Sequence, residues 1–501
     1  MRCGLLLLLL VLVPACGSGT KVVSETWQAT YLQGARIGHT HTVVTESGGV
    51  FTTKRNIRLT VKRYGSVLPI EIEQTCTERP DGSVITLGLN QSLGQDKQTA
   101  MTARVEGKKL LIQTGPTERR IDWDPSCLGL YAQEQLFVRN QLKPGDTFRL
   151  FTFELSAEIL LGLKVTVKPA EEVDQLVLVG DQVRREKVRR VRAEIISDKI
   201  WIGGKETQLP PKTVWLDEAG QVVREEFEFP GLGMVTQYTT TQEAATREAI
   251  AGDLLPDLGM NIMIPLNKEI ANPYDTQQVI YRIRVEGEVD VPFVQDARQE
   301  IKLPLGRTFE LWVKSVRGPG DRDAKLPDGP EFAEYLQPNR FIDSDHERIR
   351  ALAKTLLGDE KRPYEMAIKL EKGVHDRMIF DAGVGFPPAS QTARDFRGDC
   401  RQHALLLAAL LRAVGIPSRT ALGVIYTKES GKGPVFAFHM WTEGYIGGRW
   451  LALDAIQGKG FVGATHLTMV HHSWAGTQTL APLLPIAGVL GKLKIEVLDS
   501  R

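Results

Sequence analysis

The stretch "RGDCRQHALLLAALLRAVGIPSRTALG", residues 397–423, places a single cysteine, Cys400, at the head of a strongly apolar helix. Asp399 can cap that helix, because a carboxylate accepts from backbone N–H groups that the first turn leaves unpaired. The helix runs through "ALLLAALLRAV" and stops at Gly415, with Pro417 just beyond. Its middle is apolar nearly all round, which predicts burial among other elements. A thiol at a helix N-terminus meets the positive end of the helix dipole, and that favours thiolate, the nucleophilic form. Arg397 and Arg401 add to this field and Asp399 opposes it. Position alone does not separate a reactive thiol from an inert buried one, so the argument needs a base.

Residues 435–458, "VFAFHMWTEGYIGGRWLALDAIQG", supply one. Two strands flank Gly447 and Gly448, a strong hairpin signal. If Ile446 faces Arg449, counting back makes Trp441 face Asp454, and His439 face Ile456. Asp454 is then the diagonal neighbour of His439, with α-carbons roughly 7–8 Å apart, near enough for the side chains to meet. A carboxylate on one imidazole nitrogen leaves the other free to take a proton from a thiol. Cys400, His439 and Asp454 therefore fit nucleophile, base and orienting acid of covalent acyl transfer.

"GDCRQHALLLAALLRAVGIPSR" and "FHMWTEGYIGGRWLALD", in that order, resemble the core of the transglutaminase-like superfamily, a papain-type fold, over roughly residues 330–470. The resemblance implies Cys400 as nucleophile, His439 as base and Asp454 as acid. The "GIPSR" turn, Trp441 and Glu443 match as well. The superfamily includes calcium-dependent crosslinkers and bacterial and archaeal members regarded as peptidases or amidases. The resemblance thus implies chemistry on an amide of a protein or peptide more firmly than it implies which acceptor takes the acyl group.

Other residues carry weaker readings. The backbone N–H of Cys400 is placed to hold an oxyanion. Gln391 is a second donor by residue type, against the alternative of an exposed loop glutamine. Trp441 either walls a substrate cleft or packs in the core. Glu443 reads as structural, as does His403, one turn after Cys400. His346 and His375 read as solvent-exposed helix residues. His471 and His472 are adjacent on an expected strand and point opposite ways, so with His466 they define no metal site. No cofactor is expected, and no loop has calcium-ligand spacing.

The rest of the chain reads as β-rich. The 501 residues are 42% apolar and 25% charged, ordinary globular composition with room for two or three domains. The net charge of +1 and the lack of a basic stripe exclude a general nucleic-acid binder. Residues 1–16, "MRCGLLLLLLVLVPAC", read as an export signal too short to span a bilayer. The ending resembles a bacterial lipoprotein signal, which implies lipidation at Cys16 and a membrane-tethered, extracytoplasmic protein of the cell envelope, against the alternative of a plain secretory signal cleaved near Ala15. A tether over 17–25 follows.

Residues 26–245 predict a curved antiparallel sheet, and "WQATYLQGARIGHTHTVV" resembles the opening strands of exported half-barrel domains. "LFVRNQLKPGDTFRL" reads as a turn within it. Cys76 and Cys127, in an exported protein, are candidates for a disulfide, which the sequence leaves open. Residues 250–325 form a small β region, and 326–501 the transglutaminase-like α+β domain. Within the latter, Ser344 and Glu347 have capping-box spacing and Pro363 opens a second helix. The expected function is a cell-envelope cysteine peptidase or amidase. A glutamine-crosslinking transglutaminase and a catalytically inactive binding lipoprotein are the alternatives.

Overall fold

The computed structural model describes residues 20–501 apart from 95–98, 116, 141, 180–181, 203–204, 230–232, 248–254, 288–292, 322–324, 328, 430, 432, 477–485 and 487. The expected signal segment and Cys16 lie outside the described residues. The fold is mostly β, with a large antiparallel sheet in the N-terminal part of the chain, the front sheet, and smaller sheets and helices in the C-terminal part. Residues 21–25, read as tether, already belong to the strand Lys21–Leu32.

Fourteen strands make the front sheet. The first eight follow one another as neighbours, from Lys21–Leu32 out to Thr117–Asp122. The last, Gly233–Thr240, returns to pair with the first, Trp27 opposite Thr240. This joins the two arms through residues about as far apart in sequence as the domain permits. The strand pattern of alternating burial, as in Ala35–Ser47, is that of a sheet with one covered face.

The segment read as a turn around residue 140 contains a helix, Leu130–Arg139. It has no local side-chain cap. Its first N–H groups are taken instead by Glu78, which accepts from Tyr131 and Ala132 at 3.0 and 2.8 Å. A cap supplied from a distant strand leaves no local signature.

Cys76 and Cys127 are free thiols, not a disulfide. Both sit in one apolar cluster with Leu110 and Ile112. Burial pushes each thiol up to about 12, so both behave as small neutral core residues.

In the C-terminal part, a four-stranded sheet runs in the order Gln299–Leu305, Thr308–Lys314, Gln278–Val285, Leu493–Ser500. The C-terminal strand thus completes the small β region. Val279, Tyr281 and Leu311 share one hydrophobic core with Leu405 to Leu411 of the cysteine helix. The boundary read at residue 325 therefore falls inside one packed unit.

Helix Glu347–Leu357 begins later than the expected box. Its cap is His346, whose Nδ1 accepts from Arg348 N–H at 3.1 Å, while Ser344 is buried. Helix Pro363–His375 starts on its proline, as expected. Among the described residues no helix is long and apolar enough to cross a membrane.

Candidate active site

Asp399 and Gln402 form a reciprocal capping box at the head of the Cys400–Ala413 helix. Asp399 accepts from Arg401 N–H and Gln402 accepts from Asp399 N–H, each at 3.0 Å. Gln402 also donates to the Gly385 carbonyl at 2.8 Å, tying the preceding loop to the helix. Gly398 is required here: its φ is +152°, and a Cβ would lie 2.5 Å from Gln402 Cβ. The helix from Ala404 to Leu411 is buried all round, which holds its N-terminus rigidly. Cys400 itself is half-buried. Burial would raise the Asp399 carboxyl, but Arg401 and Arg63 outweigh it and hold the group down to about 2.

The hairpin register is the expected one. Ile446 pairs with Arg449 and Thr442 with Leu453, and Asp454 follows directly. His439 Nε2 meets Asp454 Oδ2 at 3.0 Å. Asp454 also accepts from Ile456 N–H at 2.9 Å through Oδ1. Cys400 lies near enough to His439 to favour its charged form. Burial disfavours the imidazolium, yet the Asp454 charge, the bond to Asp454 and the nearby Cys400 carry it up to about 10. Burial would also raise Asp454, but His439 and His466 hold it well below the usual carboxylate range.

Residues 350–455, which contain all three groups, match the family model described as the transglutaminase-like superfamily. This segment belongs to that superfamily of cysteine-dependent enzymes. Among solved structures, similarity extends to a candidate cysteine protease from Cytophaga hutchinsonii, at 16% identity over 46% of this chain and 85% of that one, TM-score 0.31. A beta-barrel-like protein of a domain of unknown function from Brucella abortus aligns at 12% identity over 43% and 95%, TM-score 0.32. The hypothetical lipoprotein YmcC from Escherichia coli aligns at 14% over 43% and 84%, TM-score 0.18. Scores this low carry no inference about fold or function. A search of curated proteins gave no match.

The transglutaminase-like site holds two residues that the sequence reading did not place there. His466 is fully buried, and its Nε2 meets the same Asp454 Oδ2 at 3.1 Å. Burial, more than the nearby Asp454, sets its protonation and pushes it down to about 4, so it is a neutral donor. It reaches Asp454 because its strand, His466–His472, lies beside Ser418–Glu429, which lies beside the His439 strand. Gly423, opposite His439, allows that approach, since a Cβ there would stand 1.9 Å from the Leu467 carbonyl oxygen. A register shift between Leu422 and Gly423 hides this alignment from counting.

Glu371, on helix Pro363–His375, is the second. Its Oε1 accepts from Asp454 N–H at 2.9 Å, and the residue is fully buried. Burial first, then the Asp454 charge, pushes its carboxyl up to about 8, so it is a neutral acid at pH 7. Because the folded group is raised above its ordinary 4.5, its stabilisation is complete below about pH 4.5 and is lost as pH rises through 8. The neutral isostere Glu371→Gln should remove that dependence. We expect unfolding experiments between pH 5 and 8 to show the unmodified protein losing on the order of 1 kcal/mol per pH unit relative to the variant. Parallel curves would contradict the protonated assignment.

The weaker expectations divide. Gln391 lies on a short helix, Ala389–Asp395, that interposes between the Gly/Pro loop and the cysteine. That helix also takes its partner from afar, with Ser390 N–H donating to Asp343 at 2.9 Å. Trp441 is only 1% exposed and packs with Ala421, Ala452 and Val462, so it is a core residue beside His439 and not a cleft wall. His403 is buried and its Nδ1 bonds the Asp399 carbonyl at 2.7 Å. Glu443 is ion-paired with Arg419 at 2.8 Å and faces His471 at 3.3 Å. The ligand atoms of His439, Asp454 and His466, and those of Asp296, Glu443 and His471, each fall within 4.8 Å of one another. In the first group the carboxylate already binds both imidazoles, and in the second Glu443 is already paired with Arg419.

Proposed function

We propose that this chain is a cell-envelope cysteine peptidase or amidase working through Cys400, His439 and Asp454. The observation that supports it most is the buried His439–Asp454 pair, joined at 3.0 Å, in the same site as a thiol at the head of its helix. The thiolate adds to the amide carbon, forming a C–S bond. His439 gives its proton to the amine nitrogen as the C–N bond breaks, and the amine departs. Water then attacks the thioester, losing a proton to His439, and the acid is released with the thiolate restored. The Cys400 N–H, at the head of its helix, faces the developing oxyanion. Asp454 keeps His439 oriented throughout, and His466 and Glu371 keep Asp454 oriented.

Hydrolysis is favoured over amine transfer because water needs no second binding site. Lipidation at Cys16 would hold the enzyme at a membrane, where its protein or peptide substrate would be met. A thiol-reactive amide-mimic probe should label Cys400 selectively, and peptide hydrolysis should exceed fluorescent-amine incorporation into protein glutamine. Preferential amine incorporation would make the protein a crosslinker, and a Cys400 that ignores the probe would make it a scaffold.

A further inference from the structure

A hairpin of the front sheet reaches the active site. Strands Val50–Arg63 and Ser66–Glu78 meet at a tight tip formed by Tyr64 and Gly65, with φ of +47° and +80°. The tip is held by the cap of the short helix Leu258–Asn261: Asp257 accepts from Tyr64 N–H at 3.0 Å and Gly65 N–H at 2.7 Å. Lys62 N–H donates to the Pro256 carbonyl at 3.2 Å. A second tie runs from Gly94 of the front sheet to Val384 in the loop before the cysteine. Held in this way, the hairpin delivers the Arg63 guanidinium to the carboxylate of Asp399.

Asp399 is the cap of the cysteine helix and its side chain is 1% exposed. It also binds Arg401, at 2.9 Å. Two guanidinium groups therefore face one carboxylate immediately before Cys400, leaving one net positive charge beside the thiol. Without Arg63 the same cluster would be neutral. Arg63 and Cys400 are close enough to interact electrostatically.

We propose that Arg63, a residue of the front β-sheet, is a positioning residue of the active site: it anchors the Asp399 cap and makes the surroundings of Cys400 cationic. The front sheet is then part of the enzyme and not a spacer. This inference rests on Cys400 being the nucleophile. It is tested on the full chain by alkylating Cys400 with anionic iodoacetate and neutral iodoacetamide, with the Cys400 peptide followed by mass spectrometry. A cation beside the thiol attracts the anionic reagent, whereas a purely structural role affects both reagents alike.

Arg63→Gln, which keeps hydrogen-bond donors, should lower the iodoacetate-to-iodoacetamide rate ratio about five-fold, and Arg63→Lys should restore most of it. Rising salt should lower the ratio in the unmodified protein, which reads the same charge should Arg63→Gln not fold. A ratio that ignores both the substitution and salt, on a Cys400 that reacts faster than an ordinary thiol, overturns the role of Arg63. An unmodified Cys400 that reacts no faster than a cysteine peptide overturns the nucleophile instead.

Discussion

Amide turnover in Cys400→Ala should fall to background, a loss on the order of 10⁴-fold or more, because no other group on the cysteine helix can form the acyl intermediate. Cys400 is half-buried at a helix terminus whose cap is made by Asp399, Gln402 and Arg401, none of which the substitution touches. The stability cost should therefore stay within about 1 kcal/mol. Hydrolysis of a validated peptide, measured beside a thermal unfolding curve, checks both halves. Retained turnover in a folded variant would remove Cys400 from the chemistry.

Asp454→Asn should cost about 10³- to 10⁴-fold in turnover, for a different reason. Asp454 accepts from His439, His466 and the Ile456 N–H, and an amide cannot accept from both imidazoles on one oxygen while its NH₂ group faces a donor. His439 then loses both orientation and charge support. Its proton is held up to about 10 in the folded protein by the Asp454 charge, against an ordinary 6.5. A base raised in this way contributes stability that is complete below about pH 6.5 and disappears as pH climbs through 10. Asp454, held low, contributes stability above its ordinary 3.8 that is lost on acidification below it. The variant should lose both dependences, and any residual activity should decline at lower pH on the alkaline side. Rates and unfolding midpoints across pH 3 to 10.5 would show this. An unmoved alkaline limb would mean that Asp454 does not govern His439.

The placement of Cys400, His439 and Asp454 was legible because they lie on locally encoded elements. Asp399 just before an apolar run marks a helix start, and Gly447 with Gly448 marks a hairpin whose register follows by counting to Asp454. What escaped reading shares a cause. The helix at Leu130 is capped by Glu78, the short helix before the cysteine is held by Asp343, and the two arms of the front sheet are joined by pairing Trp27 with Thr240. Each partner lies tens to hundreds of residues away, where no window of sequence can register it. Trp441 and the free Cys76 and Cys127 turned on burial, which residue type alone does not specify.

By itself, the sequence determined a cysteine at the head of its helix, a histidine and an aspartate on one hairpin, and the superfamily to which residues 350–455 belong. Spacings of three residues or two paired strands are set by local backbone geometry. Only the tertiary structure decided that His466 and Glu371 share Asp454, that the last strand seals the small sheet, and that Arg63 reaches Asp399. Those contacts depend on how separately formed elements pack, and packing is decided by the whole buried surface rather than by any one segment.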